Sequence, residues 1–214
     1  MGIKEETWKS RIGERSDLST CVVHLTRAEN NSNIDNEKIS LASLLIKILN
    51  ERRIVASTTT SGFIVGKTPA VCFQDAPLTG IAQNILYEQK YKKQNPDSKV
   101  RYNGAGLMFP KPYAFKKGTR PVIYEPKATA KKILPESEYW RIVSLELNSA
   151  DNFIDWTHER EWRHPGDFNF DIEETIVLLP NFQQFRIFMK ECKKQNLNYP
   201  ERLKGVVNMG AVAY

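Results

Sequence analysis

The tract His158-Glu159-Arg160-Glu161-Trp162-Arg163 places two acids, two arginines, a histidine and a tryptophan in consecutive positions. In an extended chain residues two apart share a face. A strand here would turn Glu159 and Glu161 one way, and Arg160 and Trp162 the other. Neighbouring carboxylates repel, so one of them tends to keep its proton to higher pH. Such a pair suits acid/base work, or steadies a sugar cation as glycosidase carboxylates do. The same pattern also describes a surface charge ladder anchored to the core by Trp162.

A second set of candidates lies near the start of the chain. Thr20 to Thr26 reads as a short buried strand. His24 and Thr26 would share one face of it, opposite Val23 and Leu25. An imidazole beside a hydroxyl can hold ribose hydroxyls or a carboxamide, although a strand histidine is also commonly a satisfied structural residue. Ser57-Thr58-Thr59-Thr60-Ser61-Gly62 offers five hydroxyls and a glycine, as a polar lining or as a solvated turn. Cys72-Phe73-Gln74-Asp75-Ala76-Pro77 leaves a strand and enters a helix, whose first amides favour anions. Cys72 follows an apolar run and reads as packed rather than reactive. Lys111 sits on the connection after a glycine-bearing strand. Arg120, preceding Pro121, is biased towards an extended chain.

The elements that position these residues follow from periodicity. Leu41, Leu44, Leu45, Ile48 and Leu49, with Ile39 before them, form a helical stripe, and Asn36 is a fair cap for it. Strands are expected at 54–57 and 70–73, and Pro77 opens a helix that Asn95-Pro96 ends. The next third reads as strands at 102–109, 120–124 and 140–147, with 110–118 as a loop. A strand starts near Glu161, another covers 174–179 before Pro180, Phe182 to Cys192 forms a helix, and Val206-Val207 forms a last strand. Glycine inside 102–109 implies a bulge or a close backbone approach. Strands come in runs rather than alternating with helices, which predicts an α+β fold.

Composition sets the broader limits. The chain has 214 residues, a length for one domain over 1–214, with 1–19 as an N-terminal extension. Cysteine occurs only at 21, 72 and 192, which fits neither a disulfide framework nor a zinc site and suits a reducing compartment. The first fifteen residues lack the apolar stretch of a signal peptide, and no run reaches a membrane-spanning length. A cytoplasmic protein with no membrane partner is the expectation. The net charge of +6 is partly concentrated, at Lys90, Lys92 and Lys93, at Lys116 and Lys117, and at Lys127, Lys131 and Lys132. That suits a polyanionic partner such as DNA or RNA, or a solvated basic face.

Taken in order, the His24-Leu25-Thr26 strand, the Cys72 to Pro77 turn, Gly104 to Phe109 with Lys111 after it, Arg120 to Tyr124, and Glu159-Arg160-Glu161-Trp162-Arg163 resemble the AbiGi abortive-phage-resistance family, over Val22 to about Pro180. Members of that family are sometimes labelled antitoxins. More distantly the layout resembles ADP-ribosyltransferase-like folds, such as the DarT DNA-modifying toxins and the RNA 2′-phosphotransferases. The resemblance implies an ADP-ribosyltransferase-like split β-sheet core with flanking helices, with NAD as substrate. It implies Glu161 as the catalytic acid, with Glu159 orienting or deprotonating the acceptor. His24 and Thr26 would hold the NAD ribose, with Ser57 beside them, and Lys111 or Arg120 would neutralise the pyrophosphate. The acceptor would be nucleic acid, in anti-phage defence or a toxin–antitoxin pair with a partner protein. Trp162-Arg163 directly after the acid departs from the usual pattern. Two other readings stand beside this one: a non-catalytic binding or antitoxin module on the same scaffold, and a metal-dependent nuclease using Glu125-Pro126-Lys127 with Asp75, Asp155 or Asp167.

Overall fold

The computed structural model describes residues 2–26, 33–34, 37–38, 40–98, 102–148 and 153–213. The chain forms two compact units, one of residues 1–52, 76–110 and 170–214, the other of 53–75 and 111–169. Strands pair mostly antiparallel and helices flank them, so the class is α+β. Among the described residues no helix is long and apolar enough to cross a membrane.

The first unit holds strands β1 (Cys21–Leu25), β2 (Asn33–Ile34), β3 (Glu37–Lys38), β6 (Gly106–Pro110), β12 (Ile176–Leu179) and β13 (Gly205–Asn208). Its helices are α1 (Glu5–Gly13), α2 (Leu41–Glu51), α3 (Leu78–Gln94), α6 (Phe182–Lys194), α7 (Tyr199–Arg202) and α8 (Gly210–Ala213). β6 lies between β1 and β12, antiparallel to both, and β13 runs parallel to β12. On β1 the alternation is the expected one. Cys21, Val23 and Leu25 pack with Ile81, Ala82 and Ile85 of α3, together with Met108 and Leu178. Val22, His24 and Thr26 take the other side. α2 forms because Ala42, Leu45, Ile46 and Leu49 make one buried stripe. Its cap is Ser40, whose hydroxyl accepts from the Ser43 amide, and not Asn36, which lies outside the described residues. The helix stops at Arg52, which takes a left-handed conformation.

The second unit holds β4 (Arg53–Ile54), β5 (Ala70–Gln74), β7 (Arg120–Pro121), β8 (Ile123–Tyr124), β9 (Ile142–Val143), β10 (Glu161–Pro165) and β11 (Phe168–Asn169), with helices α4 (Lys111–Lys116) and α5 (Lys127–Ile133). β10 is the centre of an antiparallel ladder, with β5 on one side and β7 on the other. β4 pairs with β11, and β8 runs parallel to β9. Apolar packing comes from Ile64, Ala70 and Trp140, from Val65, Ala130 and Ile142, and from the Phe73 ring meeting Phe168 edge-on at 5.1 Å.

Three local expectations change in this unit. The connection after Pro110 is the helix α4 and not a loop. The stretch at 120–124 is two strands: β7 pairs with β10, then the Val122 amide donates to the Glu161 carbonyl and β8 turns to β9. Pro121 has no amide proton with which to continue a ladder. The stretch at 140–147 is not one strand: Trp140 and Arg141 end a 3₁₀ turn over Glu136–Arg141 that follows Pro135, β9 takes only Ile142 and Val143, and Glu146 makes an isolated bridge to Ile154.

Candidate functional site

The acidic tract does not run straight. Asp155 accepts from both the amide and the hydroxyl of Thr157, at 2.8 and 2.6 Å, and starts a 3₁₀ turn over Thr157–Glu159. Arg160 then takes a left-handed backbone with φ 46°. β10 begins only at Glu161. The extended reading that put Glu159 and Glu161 on one face is therefore corrected. The strand alternation starts after Glu159, and the residue that shares a face with Glu161 is Arg163.

Those two form a buried ion pair. The Glu161 side chain is 7% exposed and that of Arg163 is 4% exposed. Arg163 Nε donates to Glu161 Oε1 at 2.8 Å, and Nη2 to Oε2 at 3.3 Å. Nη1 donates to the carbonyls of Trp140 and Ile142, at 2.9 and 3.0 Å, and Nη2 also reaches the Phe63 carbonyl at 3.3 Å. These contacts use the whole guanidinium fork. Burial works against the cation, but the Glu161 charge, aided by Cys72, outweighs it and holds the Arg163 pKa above its ordinary value. The backbone of Glu161 is held as well: its amide donates to the Tyr124 hydroxyl at 2.6 Å. Burial pushes the Tyr124 phenol up to about 12, and the carboxylate of Glu161 adds to the rise.

The neighbouring strand completes this face. In the β5–β10 register Glu161 lies opposite Gln74 and Arg163 opposite Cys72. Residues directly across an antiparallel ladder project to the same side. Cys72, Gln74, Glu161 and Arg163 therefore form one polar patch. Burial, and then the Glu161 charge, push the Cys72 thiol well up, which removes it as a nucleophile at neutral pH. Gln74 is 6% exposed, and its side-chain carbonyl Oε1 is buried without a hydrogen-bond partner. A buried orphan acceptor is costly unless something supplies a donor.

The opposite face carries a second arrangement. Trp162 Nε1 donates to Asp75 Oδ2 at 3.1 Å, and Lys111 Nζ lies 2.7 Å from Asp75 Oδ1. The Asp75 amide donates to the carbonyls of Glu159 and Arg160, which ties the end of β5 to the turn before β10. Lys111 and Glu159 are half-buried around this junction. Arg120 is turned elsewhere. Its Nη1 donates to the carbonyls of Phe115 and Thr119, and its guanidinium sits 3.8 Å from the Phe115 ring centroid. Ser57 is exposed and pairs through its backbone with Ala70, just before a 3₁₀ turn over Thr59–Ser61. In the first unit, His24 is half-buried on β1, and the buried Thr26 hydroxyl donates to the Ala105 carbonyl at 3.0 Å.

Glu161 and Lys111 thus lie at the same strand end but on opposite faces of it, with Glu159 in the turn just before, whereas Arg120 and Ser57 serve local contacts. Arg163, Gln74 and Tyr124 were missed as site residues, and Asp75 was weighed only as a metal-holding carboxylate. Glu161 and Arg163, of opposite charge and two apart, carry the spacing of an ion pair within a strand, and that signal was present. Gln74 gave none. Among the described residues no group of three or more His, Cys, Asp or Glu side chains is placed to hold a metal ion. Comparison with family models, curated proteins and solved structures found no match.

Proposed function

We propose that this chain is an ADP-ribosyltransferase-like protein of AbiGi-like layout, which takes NAD as substrate and nucleic acid as acceptor. The observation that carries the reading is the pair of acceptors side by side on β5 and β10: the Glu161 carboxylate, fixed by Arg163, and the unpartnered Gln74 carbonyl. A ribose diol and a carboxamide are donors, which is what these acceptors call for. A carboxylate held rigidly before the reaction stabilises positive charge developing on a sugar without reorganising. Glu159, in the turn just before the strand, would face the acceptor. Within such a system the protein would act in anti-phage defence or in a toxin–antitoxin pair.

Nicotinamide release from NAD, followed with and without DNA, RNA or lysate, tests the reading. Glu161→Gln is expected to lower turnover by about 100-fold or more. Gln74→Met separates chemistry from folding. It removes a buried orphan, so stability holds or rises, while the KM for NAD increases. Turnover unchanged in both variants, or absent from the wild type under every condition, overturns the proposal.

One observation favours a non-catalytic binding or antitoxin module on the same scaffold: every donor direction of Arg163 is already used within the protein, as in a purely structural pair. On that reading nucleic-acid or protein binding survives Glu161→Gln and no nicotinamide is released.

A further inference from the structure

Helix α3 has a face that its unit does not use. Ile81, Ala82 and Ile85 form its buried side. Opposite them Gln83, Tyr87, Lys90, Tyr91 and Gln94 recur at helical spacing, all exposed. The stripe is roughly 16 Å long at 1.5 Å per residue. Tyr87 and Tyr91 are 65% and 43% exposed, and their rings stack on each other, with centroids 6.2 Å apart and planes 19° from parallel. Lys90 shares the stripe and Lys93 flanks it, both exposed. Lys92 is committed locally, with its ammonium on the carbonyls of Pro96 and Ser98.

We infer that this face docks single-stranded nucleic acid, with bases stacking against Tyr87 and Tyr91 and phosphates meeting Lys90 and Lys93. The composition selects the partner. Protein interfaces favour tyrosine but are depleted in lysine, and this stripe carries Lys90 among two tyrosines and two glutamines, with Lys93 beside it. Stacked rings flanked by cations match a chain that alternates flat π-faces with negative charge. A duplex hides its base faces within the stack and leaves only the phosphate contacts. The inference rests on the nucleic-acid acceptor proposed above, and it names both the form of that acceptor and where it binds.

Fluorescence anisotropy with labelled single-stranded DNA and RNA of about twelve nucleotides, beside the matching duplexes, tests it. The double variant Tyr87→Ala/Tyr91→Ala is expected to weaken single-strand binding about 10-fold or more, since stacking on one ring is worth ~1–3 kcal/mol per base. Tyr87→Phe/Tyr91→Phe retains binding. Lys90→Glu/Lys93→Glu weakens it and flattens its salt dependence. All these side chains are exposed, so the fold is unaffected, and circular dichroism checks that. Nicotinamide release by the wild type and Glu161→Gln, measured in the same preparations, stands or falls separately from this result. Equal affinity of wild type and the alanine variant overturns the inference. So does duplex binding as tight as single-strand binding and indifferent to the tyrosines. A concentration-dependent dimer of this chain that the alanine variant dissolves would also replace it.

Discussion

Two antiparallel ladders of equal length, one in each unit, solve burial differently. β1 and β6 pair over five residues, from Cys21 opposite Pro110 to Leu25 opposite Gly106. β5 and β10 also pair over five, from Ala70 opposite Pro165 to Gln74 opposite Glu161. The first ladder buries Val22, Val23, Leu107 and Phe109, and the polar group at its end, the Thr26 hydroxyl, is satisfied by a backbone carbonyl. The second buries a carboxylate, a guanidinium and an amide side by side. Apolar burial is non-directional and scales with area. A buried ion pair gains little net stability over apolar residues of the same shape, because desolvation consumes most of the attraction. The charged face of β5 and β10 therefore adds little net stability beyond what an apolar ladder would supply, and this is the ground on which the binding role proposed above stands.

The sharpest way to break that contrast is to remove the cation. Arg163→Leu leaves Glu161 buried without its partner and strips donors from the Trp140, Ile142 and Phe63 carbonyls. A loss of about 3–5 kcal/mol is expected in urea unfolding. Adding Glu161→Leu to it should recover only part of this loss, because the three carbonyls remain unsatisfied. Full recovery would mean that the carbonyl contacts carry no weight and that the patch is an ion pair alone.

The apolar ladder has its own point of failure, and it is steric. A Cβ added to Gly106 would stand 2.2 Å from the His24 carbonyl oxygen, a backbone atom that cannot swing aside. Gly106→Ala should therefore cost about 1–3 kcal/mol through forced backbone shifts. Gly205→Ala on β13 is the matched control, since its Cβ would meet only Ile176, at ordinary contact distance. If the two variants unfold at the same denaturant concentration, the close approach of β1 to β6 is looser than the geometry states.

How much of this was legible in the sequence differs between the two ladders for the same physical reason. β1, α2, α3, α6, β12 and β13 follow from apolar periodicity and from Pro77, Asn95 and Pro180, because burial writes a pattern along the chain. Gly106 too was readable, as a glycine marking close backbone approach. In the second unit five of the seven described strands, β4, β7, β8, β9 and β11, are only two residues long, and periodicity has little to act on there. Helix α4 hid behind Lys111-Pro112, and the apolar alternation over 142–147 holds as strand only at Ile142 and Val143. Glu161 stood out by its type, yet its partner was misjudged. Left-handed Arg160 resets the alternation, a backbone event that a non-glycine residue does not announce. Gln74 became notable only once Glu161 was seen directly across the ladder.

The smallest expected effect comes from the other face of β10, the one that carries Trp162 and His164, and sharpens the comparison within a single strand. His164 is half-buried, with Phe168 edge-on at 5.1 Å and the Thr119 hydroxyl 3.4 Å from Nδ1. Burial, and then the Lys117 charge, hold its pKa below the ordinary 6.5, with a backbone contact at Asp167 opposing them weakly. The folded chain thus prefers the neutral imidazole, while the unfolded chain takes up a proton once the pH falls through about 6.5. Stability from this group is complete above that value and declines as the pH drops towards the lower folded pKa. Unfolding free energies measured between about pH 7.5 and pH 5 should show this decline in the wild type and a shallower one in His164→Gln. The same slope in both would place the titrating group elsewhere.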